Sequence, residues 1–245
     1  MSEGSGSNDI DIVAIDGPGG VGKSSTAKRL AALLGYHFLS SGMIYRAMAW
    51  FLLGQGWRRD TPLDLAPLQA LKLAVNGQGR VFANGVDISA YLAGEEISAA
   101  ASLISPVPAV RERANALQRE TVAAIARDRS FPGVILEGRD IGTVVFPEAR
   151  HKFFLTARED VRADRRFKEQ AAAEPSTDRE SVQKALQERD ARDAGRKVAP
   201  LVPAADARIV DTSRLTLDEV VALLLGAIRG QEGSAPPAPI KPTVA

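Results

Sequence analysis

The stretch Gly17-Pro18-Gly19-Gly20-Val21-Gly22-Lys23-Ser24 governs the organisation of this 245-residue chain. It matches the phosphate-loop pattern G-x-x-x-x-G-K-[ST]. A β-branched apolar run at 10–15 precedes it, and apolar residues at helical spacing over 27–34 follow it. The pattern therefore lies between a predicted strand and a predicted helix. This context favours polyphosphate binding by backbone N–H groups over the alternative, a glycine-rich turn that binds nothing.

Two side chains of the loop have a predicted chemical role. Lys23 is placed to contact the β- and γ-phosphates of a nucleotide, and Ser24 is placed to offer its hydroxyl to Mg²⁺. The loop pattern alone does not separate GTPases, motor ATPases and small-molecule kinases. The sequence contains no Asn-Lys pair, which a GTPase needs for reading guanine, and it is short for a motor ATPase.

Composition limits the function classes further. The chain has 31 basic and 30 acidic residues, a balance that argues against nucleic-acid or membrane-surface binding. It has no cysteine, which excludes disulfides, thiol catalysis and cysteine zinc sites. His37 and His151 are too few for a histidine-rich metal centre. The sequence shows neither an apolar signal region nor an 18-residue apolar run, so a cytoplasmic location is predicted.

Strand and helix patterns alternate along the chain. This alternation, in a chain with 45% hydrophobic residues, predicts an α/β fold with a mostly parallel sheet covered by helices on both faces. The predicted strands are 10–15, 36–39, 133–136, 152–155 and 207–210. The predicted helices are 27–34, 43–54, 109–128 and 217–224, with Gly35 ending the first.

Composition also marks the domain boundaries. Residues 1–9 are predicted to be flexible and the Pro-rich 229–245 to be a disordered tail, with one domain over 10–228 between them. Charged residues at helical spacing over 159–195, with a polar break at 174–177, predict a helical hairpin.

A small insert is predicted over about 68–102, outside the main sheet. Its signal is Asn84-Gly85, which separates two short β-like runs at 80–83 and 86–89. An Asn-Gly pair between such runs is typical of a two-residue hairpin turn.

Arginines cluster on the predicted hairpin. Arg189, Arg192 and Arg196 are spaced to share one helix face, where like charges cost a few tenths of a kcal/mol for each pair. Arg162, Arg165 and Arg166 form a similar cluster nearby. A solvated charged face is the alternative. The phosphate loop favours the functional interpretation, because phosphoryl transfer needs cations around the transferred group.

Several longer segments resemble the bacterial cytidylate kinase family. They are the phosphate loop, Ser40-Ser41-Gly42-Met43-Ile44-Tyr45-Arg46, Glu137-Gly138-Arg139-Asp140-Ile141-Gly142-Thr143-Val144-Val145-Phe146-Pro147, Glu188-Arg189-Asp190-Ala191-Arg192-Asp193 and 197–201. The resemblance covers about 10–228 and includes the insert. It implies the phosphate-loop nucleoside monophosphate kinase fold, with 68–102 on the substrate side and 159–195 as an arginine-rich lid.

The resemblance also implies a reaction. Members of the family transfer the γ-phosphate of ATP to CMP or dCMP, with Mg²⁺, and the implied partners are these nucleotides, with no nucleic acid or membrane. A monomer is the expected state. The acceptor oxygen is already ionised, so we expect direct in-line transfer without a strong general base, through positioning and charge neutralisation.

Site residues follow from the resemblance position by position. It implies that ATP is held by Gly17, Pro18, Gly19, Gly20, Val21, Gly22, Lys23, Ser24, Ser25, Arg162 and Arg166. It implies that the acceptor phosphate is bound by Ser41, Arg46, Arg139 and Arg196. The ribose would be bound by Arg189 and Asp193, and the cytosine by Ser102, Arg111 and Asp140. The implied catalytic residues are Lys23, Arg139, Arg189 and Arg196, and the metal ligand is Ser24.

Alternatives stay open for several of these residues. In these alternatives Ser41 only caps a helix, and Arg46 and Arg111 are surface helix residues. Asp140 then only pairs with Arg139 or another arginine. Ser102 has little signal of its own in an Ala-rich stretch.

The chain also departs from the family pattern. Some relatives have Asp where Ser40 stands, and the insert is shorter than in some members.

Asp16 and Glu137 are both candidates to hold a Mg²⁺-bound water.

Two other functions are compatible with the sequence. One is a different small-substrate kinase, uridylate-preferring or shikimate-type. The other is a regulatory module that binds ATP and transfers nothing, which would not need Arg46, Arg139 or Arg189.

Overall fold

A computed structural model of the chain describes residues 10–172, 177–196 and 198–230. The first half contains β1 (Asp11–Asp16), α1 (Lys23–Leu34), β2 (His37–Ser40), α2 (Ser41–Gly54), β3 (Leu73–Val75), β4 (Val81–Ala83), β5 (Val86–Asp87) and α3 (Glu95–Ile104). The second half contains α4 (Pro108–Asp128), β6 (Gly133–Gly138), β7 (His151–Thr156), α5 (Glu159–Ala171), α6 (Arg179–Ala194), β8 (Arg208–Asp211) and α7 (Leu217–Ile228).

The main sheet has five strands in the order β2-β6-β1-β7-β8, and every neighbouring pair is parallel. This confirms the predicted parallel sheet. Side chains alternate across β1: Val13 and Ile15 pack with α1 and α7, whereas Ala14 packs with α2 and α4. Because both faces are covered, the strands contain apolar residues at consecutive positions.

The parallel arrangement brings the carboxyl ends of the strands to one edge of the sheet. β1 leads into the phosphate loop, β2 into Ser41, and β6 into Arg139. β7 leads into α5, which begins the predicted lid. Residues far apart in the chain therefore meet at this edge.

The predicted insert is larger than a hairpin. The turn at Asn84 (φ 48°) and Gly85 (φ 85°) is present, but β3 adds a third antiparallel strand, and α3 follows. β3 has three residues, too few for a periodic signal, so the sequence did not predict it. Leu71 and Ile88 belong to the same apolar cluster as α2 and α4, so the insert has no core of its own.

The predicted hairpin over 159–195 is present as α5 and α6. Asp164 accepts a hydrogen bond from Arg179 at 2.6 Å, and Arg162 pairs with Asp190, so ion pairs connect the two helices. Most of the predicted break at 174–177, all of 1–9, and 231–245 of the predicted tail lie outside the described residues.

None of the described helices combines the length and the apolar character needed to cross a membrane.

Candidate active site

A cavity of about 1090 Å³ lies at the carboxyl edge of the main sheet. It extends continuously from the phosphate loop to the buried residues of α4. The predicted site residues that line it are Gly19, Gly20, Val21, Gly22, Lys23, Ser24, Ser25, Ser41, Arg46, Ser102, Arg111, Arg139, Asp140, Arg166, Arg189, Asp193 and Arg196.

The phosphate loop is packed tightly at two glycines. A Cβ on Gly17 (φ 145°) would lie 2.1 Å from the backbone oxygen of Leu155, and one on Gly20 (φ 75°) would lie 2.7 Å from that of Arg162. Both positions have backbone angles that favour glycine. The loop is therefore shaped against β7 on one side and α5 on the other.

Lys23 is buried beneath this loop, and its Nζ donates a hydrogen bond to the Pro18 carbonyl at 2.6 Å. Burial, together with the positive charge of Arg139, lowers the pKa of Lys23 well below its usual range. A polyphosphate in the loop would add negative charge beside this ammonium and favour its charged form.

Asp193 is a buried carboxylate surrounded by three arginines. It accepts a hydrogen bond from Arg139 Nε at 3.0 Å, pairs with Arg196, and lies 3.9 Å from Arg189 Nε. The Arg189–Asp193 ion pair is thus the longest of the three. One carboxylate faces three cations, so positive charge remains available to the cavity.

Arg189 shows the effect of this surplus charge. The neighbouring Arg139 charge, followed by burial, lowers the pKa of Arg189 to about 10. The Arg189 side chain is nevertheless 52% exposed, so it is accessible to a ligand. Such a cluster of like charges is stabilised when an anion binds between them.

Arg111 and Asp140 form an ion pair whose side chains are only 3% and 6% exposed. Arg111 also donates to the Ser105 carbonyl at 3.1 Å and lies 5.7 Å from the centre of the Tyr45 ring. The surface-helix interpretation of Arg111 is therefore wrong. Asp140 does pair with an arginine, and its partner is Arg111.

Ser41 is not the cap of α2. It is the first helical residue, Ser40 occupies the cap position, and neither forms a side-chain capping bond. Ser41 is buried against β6, where a Cβ on Gly138 would lie 2.7 Å from the Ser41 Oγ. Its hydroxyl lines the cavity and is available for a ligand.

The remaining acceptor-side residues differ in their surroundings. Arg46 is half-buried, and burial followed by the charge of Arg166 lowers its pKa. Ser102 lines the cavity and lies 3.5 Å from a guanidinium nitrogen of Arg192. Arg166 also lines the cavity, and it donates to Glu169 at 2.8 Å.

Three residues of the predicted ATP site do not line the cavity: Gly17, Pro18 and Arg162. Arg162 donates to the Gly19 carbonyl at 3.3 Å and pairs with Asp190. In this conformation its guanidinium connects α5 to the phosphate loop and to α6, and it is occupied by protein groups.

Tyr45 also lines the cavity, although no sequence pattern assigns it a role. Burial raises its pKa to about 12, and its hydroxyl has no hydrogen-bond partner among the described residues. The charged groups that act on it are Arg111, Asp140, Arg196 and Asp193. Its position four residues after Ser41 was the available signal, because residues at this spacing share a helix face.

The acidic groups near the loop are already engaged. Both Asp16 oxygens accept backbone N–H groups, and Glu137 Oε1 accepts from the Ser40 hydroxyl at 2.5 Å. Among the described residues no group of three histidine or acidic side chains is arranged for a metal ion. The exposed Ser24 hydroxyl suits Mg²⁺, which is commonly held by few protein ligands together with nucleotide phosphates and water.

Comparison with known proteins identifies the family of this chain. A family model described as cytidylate kinase matches residues 13–230. The cytidylate kinase of Streptomyces griseus subsp. griseus is 41% identical over 228 residues, covering 91% of this chain and 95% of the relative. That of Methylococcus capsulatus is 38% identical over 226 residues, covering 90% and 97%.

A solved structure shares the fold at low sequence identity. An uncharacterized protein from Eubacterium ventriosum is 13% identical and superposes with a TM-score of 0.51, covering 91% of this chain and 99% of that one. At this identity the likeness concerns the fold alone. The family match over most of the chain and the relatives at about 40% identity show that this protein belongs to the cytidylate kinase family.

Proposed function

We propose that the protein transfers the γ-phosphate of ATP to CMP or dCMP, giving ADP and CDP or dCDP. The observation that carries the proposal is the single cavity that joins the phosphate loop to the buried Arg111–Asp140 pair. A phosphate donor and a pyrimidine acceptor can bind at its two ends with their phosphates facing each other.

The acceptor phosphate is assigned to the arginines in the middle of the cavity. Arg46, Arg139 and Arg196 surround this region, with the Ser41 hydroxyl beside them. Arg139 and Arg196 are both oriented by Asp193, which limits their motion before a ligand binds. Arg189 and Asp193 are assigned to the ribose, as the family resemblance implies.

The cytosine is assigned to Arg111 and Asp140, with Ser102 at the edge of the same pocket. A cytosine edge offers an N4 donor to a carboxylate and N3 and O2 acceptors to a guanidinium. Uracil has an acceptor at position 4, which would face the Asp140 carboxylate unfavourably. The pair thus supports discrimination between the two pyrimidines.

The phosphate loop is assigned to the ATP phosphates, with Lys23 directed at the β- and γ-phosphates and Arg166 approaching from the lid. Ser24 is the residue that would hold Mg²⁺. When bound, the cation neutralises phosphate charge during transfer. The acceptor oxygen is already ionised, so no residue is required as a strong general base.

Catalysis in this proposal comes from positioning and electrostatics. Lys23, Arg139, Arg189 and Arg196 surround the path between the two phosphates and stabilise the charge that spreads over the transferred group. Closure of the lid helices α5 and α6 would exclude water and limit ATP hydrolysis. We also propose a cytoplasmic monomer acting on free nucleotides rather than on nucleic acid or membranes.

The test is an ADP-release assay with Mg-ATP and the acceptors CMP, dCMP, UMP, AMP and shikimate. We expect rapid turnover with CMP and dCMP and much slower turnover with UMP. Comparable turnover with UMP would overturn the assignment of the base to Arg111 and Asp140.

A second arm separates an enzyme from a nucleotide-binding module. If ATP binds but no acceptor is phosphorylated, the proposed reaction is wrong and the regulatory alternative is favoured. In that case replacing Arg139 or Arg189 with methionine should leave ATP binding intact.

A further inference from the structure

Asp16, the last residue of β1, makes an unusual pair of contacts. Its side chain is buried, and its two oxygens accept hydrogen bonds from two consecutive backbone N–H groups, Ile141 at 2.9 Å and Gly142 at 2.8 Å. The next residue, Gly17, begins the phosphate loop. One carboxylate therefore connects the start of the loop to a segment 125 positions later in the chain.

That segment directly follows Arg139 and Asp140. Residues 141–145 form a single π-helical turn, in which the Asp140 carbonyl accepts from Val144 at 2.9 Å and Val145 at 3.2 Å. The first N–H groups of a helical turn have no partner within it. Asp16 accepts two of them, so its carboxylate serves as the cap of this turn.

The other end of the turn is held by Arg119 of α4. Its guanidinium donates to the Val145 carbonyl at 3.0 Å and to the Val144 carbonyl at 2.9 Å. The turn is therefore fixed at both ends by side chains from elements that flank the cavity. Asp140, at its start, is thereby presented to Arg111.

We propose that Asp16 is a positioning residue, which holds the π-helical turn so that Arg139 and Asp140 face the acceptor. The inference rests on the proposed function for what the acceptor is. Asp16 would thus connect the ATP side of the cavity to the acceptor side. A residue next to the phosphate loop would set the geometry of the acceptor pocket.

The geometry favours this role over a role in holding a Mg²⁺-bound water. Both Asp16 oxygens already accept backbone N–H groups, at 2.9 Å and 2.8 Å. Strand register adds to the connection, since Asp16 lies opposite Gly138 in the β1–β6 pair. Asp16 is only 5% exposed, which leaves little room for a water beside the carboxylate.

The first variant is Asp16→Asn, which keeps the shape but accepts only one of the two N–H groups. An unsatisfied buried donor costs enough to weaken CMP binding by about tenfold or more. We expect that loss for CMP measured by calorimetry, with ATP affinity and the Mg²⁺ requirement changed less than about twofold. Hydrogen exchange over 139–146 should become faster in the nucleotide-free protein.

A second variant covers the case in which Asp16→Asn does not fold. Arg119→Met removes the two hydrogen bonds that hold the other end of the turn. Because Arg119 is exposed, we expect this variant to fold, with faster exchange over 139–146 and weaker CMP binding. The matched control is Glu120→Gln, whose exposed carboxylate pairs with Arg113 instead of the turn. It should leave exchange and CMP binding unchanged.

Two results would overturn the positioning role. One is a folded Asp16→Asn protein with unchanged CMP affinity and unchanged exchange over 139–146. The other is a raised Mg²⁺ requirement with CMP affinity unchanged, which would assign Asp16 to the metal. The exchange measurement uses no substrate, so it tests the turn even if the wild-type protein fails to phosphorylate CMP.

Discussion

The Arg111–Asp140 pair has a structural cost in addition to its proposed role in recognising cytosine. Both side chains are almost fully buried, so each charge depends on the other for compensation. We expect Arg111→Met to destabilise the protein by about 3–5 kcal/mol, because Asp140 is left as an uncompensated buried charge. Urea unfolding of the variant and of wild type measures this loss.

The matched double variant Arg111→Met with Asp140→Leu separates the two roles. Replacing both charges by apolar groups should recover most of the lost stability. CMP turnover should stay low, because the groups proposed to recognise cytosine are gone. Recovery of CMP turnover in the double variant would contradict the assignment of the base to this pair.

Asp16 predicts a pH dependence of stability. Burial raises its pKa from 3.8 to about 6, so the folded protein holds this proton more tightly than the unfolded chain does. Its contribution to the free energy of unfolding is therefore greatest at low pH and decreases as pH rises from about 4 to about 6. The pKa difference corresponds to about 3 kcal/mol.

Asp16→Asn removes this titration. The free energy of unfolding of the variant minus that of wild type should increase by up to about 3 kcal/mol as pH rises from about 4 to about 7. This change is expected whatever the difference between the two proteins at the lowest pH. Urea unfolding at several pH values measures the difference. A difference that does not change with pH would show that the pKa of Asp16 is near its ordinary value.

At the level of elements, the contact between the phosphate loop and α5 is tested by Gly20→Ala. The new methyl group would lie 2.7 Å from the Arg162 backbone oxygen, so either α5 or the loop must move. We expect ATP affinity to fall by about tenfold or more, measured by calorimetry.

Gly35→Ala is the control for backbone strain. Gly35 has a similar positive φ of 67°, but a Cβ there meets nothing within 4 Å. It should lose about 1 kcal/mol of stability from the backbone alone and keep its ATP affinity. Equal loss of ATP affinity in both variants would show that the α5 contact is unimportant.

At the level of the whole molecule, the cavity predicts joint binding of both substrates. A pentaphosphate linking adenosine to cytidine should occupy both ends at once. At a hundred times its Kd it would stabilise the protein by about 2.7 kcal/mol, which raises Tm by about 5–10 °C for a chain of this size. Thermal melts with ADP alone and CMP alone are the controls. With all three ligands at the same concentration, a pentaphosphate that stabilises no more than ADP does would contradict the single continuous site.

Local sequence determined much of this protein. The phosphate loop, the alternating elements and the segments around Arg139 and Arg189 were sufficient to predict the parallel sheet and the family, both of which are confirmed. These features depend on neighbours in the chain: glycine backbone freedom, side-chain periodicity and short motifs. The roles assigned to individual site residues stay predictions.

The ion-pair partners of the charged side chains depend on the tertiary fold. Arg111 is the buried partner of Asp140, and three arginines surround Asp193. Arg162 pairs with Asp190 instead of lining the cavity. Periodicity did not reveal these choices, because each joins elements that are distant in sequence. The Asp16 contact with 141–142 has the same origin, since it exists only because β1 and β6 lie side by side.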